Sequence, residues 1–355
     1  MRFEMLIPWV LVACVRSSSP SATAGWKDIP NSHACGFLLQ ERDGERRALV
    51  FGPHGPTDTL AVIAVPDRPP ERIAALSTTH IPFILALGAG EELVGAAYCS
   101  QVPDPRFKDL LAAGRVVELL RGDRLDGERY IALAPDVLFD QMPGIAGGVP
   151  PIAGALRIPV PEYLEHHPLG RSEWIRFFGA LLGRQEQADS IHAGIVARYH
   201  AVRDRVRPGN GGPRVFFGSA WGGRFHAAAG NSYMARLIRD AGGRYFLADT
   251  LGGSIAMDLE SFIGLTDSLE HIGMVLSHPG VPGTVDLAQG DPRLLQLRAL
   301  TEGGFYGNSS RSDLFGQALL EPDVLLADLA HVFDPAVTPD HRPKYFQTVA
   351  QSPIP

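Results

Sequence analysis

The chain reads as an α/β protein of two three-layer lobes with parallel-rich sheets, joined by one long α-helix. Three observations predict this. The chain has 355 residues, too many for one typical domain and right for two, and 45% of them are hydrophobic, enough for a core in each. An order of strand, loop, helix and strand occurs after Arg72 and returns after Arg214. Between them, residues 171–206 repeat apolar positions at spacings of three and four with no proline.

At the start of the chain, Arg2 precedes nine apolar residues, Met5 to Ala13, and then Cys14. Such a stretch is far short of the ~20 residues that span a bilayer and within the roughly 7–15 of a signal-peptide core. Leu11-Val12-Ala13-Cys14 resembles a bacterial lipobox, which makes residues 1–14 a signal peptide with Cys14 as the lipidation site. A plain signal peptide or a misassigned start codon is the alternative, because Glu4 and Pro8 are unusual there. Residues 15–35 then read as a flexible tether, and 36–70 as a small β-rich leader of alternating runs such as GFLLQE and RRALVFG.

The amino-terminal lobe is expected over 71–165. Arg72–Ser77 is a compact apolar strand, HIPFILALGAG a helix with a glycine stop, and Leu93–Ala97 the next strand. A second helix opens near Glu128 and leads into a buried strand at Val137–Phe139. The connecting helix is expected over 166–206, with a break possible at Gly183. In the carboxy-terminal lobe, 207–355, Arg214–Ser219 is a strand, NSYMARLIRDAGG a helix and RYFLA a strand. DLESFIGLTDSLEHIGMVLSH then repeats helix plus buried strand, with Glu260 near the helix start.

Charge and cysteine usage narrow the function. Lys plus Arg number 32 against 39 Asp plus Glu, net −7, with no sustained basic run to neutralise a phosphate backbone, so nucleic acid is not an expected partner. Beyond Cys14 only Cys35 and Cys99 remain. An oxidising compartment would permit a disulfide between them, and separate thiols are the alternative. GxSxG, HExxH and Walker spacings are absent, so the reading is a binder rather than an enzyme.

In open parallel sheets, ligands bind outside the carboxyl ends of the strands, so the loops after Leu76 and Gly218 are expected to face one crevice. Thr78, Thr79 and His80 offer hydroxyls and an imidazole there. His80 would contact a metal or chelate, or else cap the following helix. Tyr98, Met142 and Tyr163 follow other strands of the first lobe, and Trp221, Arg224, Phe225, His226 and Tyr233 follow the first strand of the second. Aromatic rings suit flat, apolar chelates and Arg224 suits a carboxylate, although ordinary packing explains each residue equally well. GGRFHAAAGN at 222–231 resembles a hairpin at the crevice rim. His166-His167 and His192/His200 lack a third ligand at motif spacing and are expected to be solvated, which leaves any metal site unknown.

These residues resemble a known family. RIAALSTTHIPFILALGAGEELVG at 72–95 and LAPDVLF at 133–139 are similar to the first strand and helix, and to a later strand motif, of ABC-importer binding proteins for iron complexes and vitamin B12, the class III group whose lobes are joined by a rigid helix. EYLEHHPLGRSEWIRFFGALLG at 162–183, GNSYMARLIRDAGGRY at 230–245 and EPDVLLADLAHVFDP at 321–335 resemble a subgroup of iron-complex transport binding proteins, and the resemblance covers about 36–350. It implies an extracytoplasmic, lipid-anchored monomer with no intrinsic cofactor that carries a ferric siderophore, haem or corrinoid to an ABC permease and its ATPase. It also implies that Glu128 and Glu260, at matching helix starts, dock to permease arginines; helix-start acids favoured by the dipole are the alternative. A rigid connecting helix implies modest closure. The rival readings are a two-lobe metal-cofactor enzyme or chelatase, and a surface sensor of a similar ligand.

Overall fold

A computed structural model describes residues 25–121, 124–141, 152, 154–206, 211–221, 224–266, 268–275, 292–308 and 312–348. Cys14 and Met142 lie outside these residues.

The leader is a four-stranded antiparallel sheet in chain order, β1 (Lys27–Ile29), β2 (Phe37–Arg42), β3 (Glu45–Gly52) and β4 (Gly55–Ala64). Its alternation buries Phe37, Leu39, Ala48 and Val50 on one face, where Phe37 meets Trp174 and Phe177 at ring separations of 4.9 and 5.5 Å. The expected tether is corrected for residues 25–35. Beyond β1, the backbone N–H groups of residues 32 to 36 are fastened to two buried glutamates of the region following the first lobe. Glu173 accepts from Ser32 at 2.8 Å and from His33 and Ala34 at 2.7 Å, and Glu165 accepts from Cys35 at 3.0 Å and Gly36 at 2.8 Å. Gly36 is required here, because a Cβ would lie 2.9 Å from the Trp174 ring.

The amino-terminal lobe contains β5 (Ile73–Ala75), α1 (Ile81–Ala86), β6 (Leu93–Ala96), α2 (Pro105–Ala112), β7 (Val117–Glu118), the small hairpin β8 (Leu120–Arg121) with β9 (Arg124–Leu125), α3 (Gly127–Leu133), β10 (Val137–Asp140) and β11 (Leu156–Pro159). Its described sheet is wholly parallel, in the order β11-β10-β5-β6-β7. The sheet is apolar on both faces, as a sheet flanked by crossover helices must be. Ile73 and Ala75 enter the main core, whereas Ala74 and Leu76 enter a smaller cluster with Tyr130 and Leu138.

The expected long helix is present as two, α4 (Pro168–Leu181) and α5 (Gln185–Arg203), packed against each other. Gly183 makes the break: its φ of +67° suits glycine, and a Cβ there would sit 2.6 Å from Pro69. The break allowed at Gly183 is present, so the one long helix expected over 166–206 is a helical pair.

The carboxy-terminal lobe contains β12 (Arg214–Trp221), β13 (Arg224–Ala228), α6 (Tyr233–Asp240), β14 (Arg244–Tyr245), β15 (Ser254–Met257), α7 (Leu259–Thr266), β16 (His271–Val275), α8 (Arg298–Thr301), β17 (Phe305–Gly307), α9 (Pro322–Phe333) and β18 (Gln347–Thr348). β12 pairs in parallel with β14 and β16, and β16 with β17, while β13, β15 and β18 add antiparallel strands, so this sheet is mixed. β12 and β13 pair as a hairpin, and of the segment expected to form one at 222–231 the strand Arg224–Ala228 is its second arm.

The core is not divided lobe by lobe. One cluster runs from Phe37 of the leader through Ile73, Trp174 and Tyr199 to Val215 and Leu326, because α4 and α5 are buried on their inner faces and α9 packs on α5. A second cluster lies on the far side of β12, around Phe216, Phe262 and Met274.

Candidate functional site

The carboxyl ends of the parallel strands carry the loops that sequence reasoning selected, and the structure separates them into core and surface. After β5, Thr78 and Thr79 are half-buried, with Ser77 Oγ 2.8 Å from Thr79 Oγ1. His80 is corrected. Its ring is 0% exposed, 3.7 Å from Glu162 Oε2 and between Phe139 and Phe178, so it belongs to the core of the lobe and not to a crevice wall. It precedes α1 without a side-chain cap bond.

Tyr98, after β6, is 40% exposed and adopts a left-handed backbone, φ +55° and ψ +40°. A non-glycine residue there costs about 1 kcal/mol or more and persists only when its surroundings hold it. Glu118 does so, accepting from the N–H of Tyr98 at 3.1 Å and of Cys99 at 2.7 Å. The result is an aromatic ring held out at the strand end. Cys99 itself is buried, its thiol pushed up to about 12 by burial and by Glu118, and it is not bonded to Cys35, which lies exposed in the leader. The permitted disulfide is absent.

In the second lobe, Trp221 ends β12 opposite Arg224, which is exposed at the start of β13. Phe225 is corrected: it stacks on Phe262 with ring centroids 3.8 Å apart and planes 5° off parallel, a core contact of the second cluster. His226 is half-buried on the other face of the strand, in register with Ser219 and Ala256.

The two lobes meet where the start of α6 and the 3-10 turn Gln317–Leu320 lie on α4. Arg171, in the first turn of α4, is the residue that sequence reasoning missed. Its Nη2 donates to the Tyr163 carbonyl at 2.8 Å, and its guanidinium lies over the Tyr233 ring at 4.5 Å, so one cation touches a residue of each lobe. Its Nε is buried without a protein partner. Burial pushes the Tyr233 hydroxyl up to about 12, with Arg171 opposing, so Tyr233 is a neutral phenol at physiological pH. The only hint in the sequence was an arginine one turn into a helix that follows Tyr163. Nearby, burial raises the Asp313 carboxyl, and Asp104 of the other lobe adds to the rise.

Glu128 and Glu260 both stand exposed in the first turns of α3 and α7. Each helix leads into the strand that pairs in parallel with its lobe's first strand, β10 with β5 and β16 with β12, so the two acids are topological counterparts. Asp126 caps α3 by accepting from Arg129 N, and Asp258 accepts from Ser261 N at α7. An apolar side chain stands exposed on each helix as well, Ile131 at 54% and Leu265 at 44%. Glu260 pairs with Arg293 at 2.7 Å on the surface, a contact of small energetic weight.

The expectation of solvated histidines holds for His166 and fails elsewhere. His192 is buried, His167 and His200 are half-buried, and all three gather around His33 of the leader at ring separations of 6.1, 4.9 and 6.5 Å. His167 caps α4, its Nδ1 accepting from Leu169 N at 3.0 Å. Burial, with Arg236 next, lowers His167 to about 4. Between that value and about 6.5, the unfolded chain binds a proton that the folded one refuses, so stability is full above pH 6.5 and falls as pH drops towards 4. Protonation also removes the cap acceptor. Thermal melts across this window are expected to show a steady fall for the unaltered protein and a shallower one for His167→Asn; equal slopes would exclude His167 as the cause.

Comparisons with known proteins agree with this architecture. Residues 73–264, just over half of the chain, match the family model described as periplasmic binding protein. An uncharacterised lipoprotein of Methanocaldococcus jannaschii is 24% identical over 332 residues, covering 87% of this chain and 75% of the relative. A periplasmic binding protein from Veillonella parvula superposes with a TM-score of 0.63 at 14% identity, covering 84% of this chain and 98% of that one. A periplasmic heme binding protein from Pseudomonas aeruginosa gives 0.61 at 20% identity, covering 80% and 99%. The α/β class is borne out, and the match over more than half of the chain shows that the chain belongs to the periplasmic binding proteins, which bind substrates rather than transform them.

Proposed function

We propose that this chain is the extracytoplasmic substrate-binding component of an ABC importer and that it captures an iron-siderophore, haem or corrinoid-type metal chelate between its lobes. The carrying observation is Arg171. A cation with one buried, unpartnered N–H, seated between Tyr163 and Tyr233, matches an aromatic ligand that bears a carboxylate or another anionic oxygen. Tyr98, held in a strained backbone, supplies a second ring, and Thr78, Thr79, Trp221, Arg224 and His226 flank the strand ends. That the Pseudomonas aeruginosa relative binds heme supports the ligand class. That the archaeal relative is a lipoprotein supports an anchor at Cys14 and an extracytoplasmic site. Among the described residues, no helix is long and apolar enough to cross a membrane.

Delivery to the permease is assigned to Glu128 and Glu260. Each pairs an exposed acid at a helix start with an exposed apolar side chain, which suits a basic, partly apolar partner surface. Fluorescence titration with haemin, a ferric hydroxamate chelate and cobalamin tests the ligand class: saturable binding of one of them, one per chain, is expected, and failure of all three overturns the reading. In the host, the double variant Glu128→Ala, Glu260→Ala is expected to bind the chelate normally and to lose most uptake. Undiminished uptake would remove both residues from docking.

A further inference from the structure

The ligand reading does not use the histidines gathered around His33. His33 comes from the leader loop, His192 from α5 and Glu173 from α4, and one ligand atom from each lies within 4.8 Å of the others. His192 Nε2 is 3.9 Å from Glu173 Oε1. Tetrahedral ligands about 2.0–2.1 Å from a zinc-type ion stand roughly 3.4 Å apart, so rotations of about an ångström would close the set.

Two further facts point to a missing ligand. His192 is 6% exposed, yet neither ring nitrogen has a protein partner, and Nδ1 of His33 and of His200 are buried without one as well. Buried polar atoms are ordinarily satisfied, and an imidazole deprived of both partners is an exception that needs a cause. His167 is not a donor in the set, since its Nδ1 lone pair is used by Leu169 N.

We infer that His33, His192 and Glu173 form a binding site for a divalent transition-metal ion of the zinc type, with His200 beside it. Two imidazoles and one carboxylate are a zinc-type donor set, and they leave a fourth position for His200 or water. The ion would join three chain segments, the leader, α4 and α5, and so act as a staple between them. Arg176 opposes it through Nη1, 3.0 Å from Glu173 Oε1, but Arg176 Nε also holds Asp189 at 2.7 Å. Metal binding is therefore expected to release the arginine from Glu173 while Asp189 keeps it.

The test uses the untagged mature chain, stripped with a chelator and titrated with Co2+ and Zn2+ without any chelate ligand. One Co2+ per chain is expected, with the visible absorption of a four- or five-coordinate ion, displaced by Zn2+. Zn2+ is expected to raise the melting temperature by mass action on the folded state. His192→Ala and His33→Ala are each expected to weaken metal binding by about tenfold or more. His33 is only half-buried, so its variant keeps the test sound if His192→Ala folds poorly. Absence of binding at submillimolar metal, or affinities that neither variant changes, would overturn the site. Because the probe is the metal alone, failure of the chelate reading leaves this result standing.

Discussion

Replacing Glu173 by alanine is expected to release the leader from the body of the protein and to lower stability by about 3–5 kcal/mol. The carboxylate is 0% exposed and accepts three successive backbone N–H groups, from Ser32, His33 and Ala34, besides the guanidinium of Arg176. Removing it strands three donors at once, while Arg176 keeps Asp189 and the Pro30 carbonyl, and each unsatisfied donor costs about 1–3 kcal/mol before water enters. In a protein of this size, that corresponds to a fall in melting temperature of roughly 10 °C. A calorimetric scan measures it, and limited proteolysis near residue 30 should show new cleavage. A fall under about 2 °C would mean that the leader is held by its sheet face alone.

Arg171→Ala is expected to weaken chelate binding by about 10–100-fold, the effect of losing a charge-assisted hydrogen bond of about 1.5–3 kcal/mol, with little change in melting temperature. The guanidinium is not a core anchor. It holds the Tyr163 carbonyl by a hydrogen bond and lies over the Tyr233 ring. Arg171→Lys should recover only part of the affinity, because an ammonium keeps the charge and loses the planar fork. Equal affinities for all three proteins in the fluorescence titration would remove Arg171 from the site.

What could be read from the sequence follows the range of the forces. Local periodicity and capping placed β5, α1, β6, α3 and β10 in the first lobe and β12, α6, α7 and β16 in the second, since each is decided by side chains within a few residues. The helix-start positions of Glu128 and Glu260 were legible for the same reason. The anchoring of residues 32–36 was not, because Ser32 meets its partner 141 positions away. A polar, small-residue stretch looks like a tether until that partner is known. His80 and Phe225 look like loop and rim residues in sequence, yet Glu162 and Phe262, each distant in the chain, draw them inward. The histidine cluster was hidden in the same way: His192 and His200 share a face of α5 at about two turns, but the ring between them comes from the leader. Gly183 offered the one local sign of the helical break, and it was read correctly as a possible one.

That break has a mechanical consequence. A lone helix flexes about every axis across it, like a rod. Here α4 and α5 lie side by side and α9 backs α5, with axes that packed helices set about 8–10 Å apart. Side-by-side members resist flexure in the plane that contains them, as the chords of a truss do. The soft deformation that remains is slip of one chord along another, limited by interlocked side chains to small displacements. Arg171 sits in the first turn of one chord and touches both lobes, so a slip of that kind would change its separation from Tyr233 before the lobes had visibly moved.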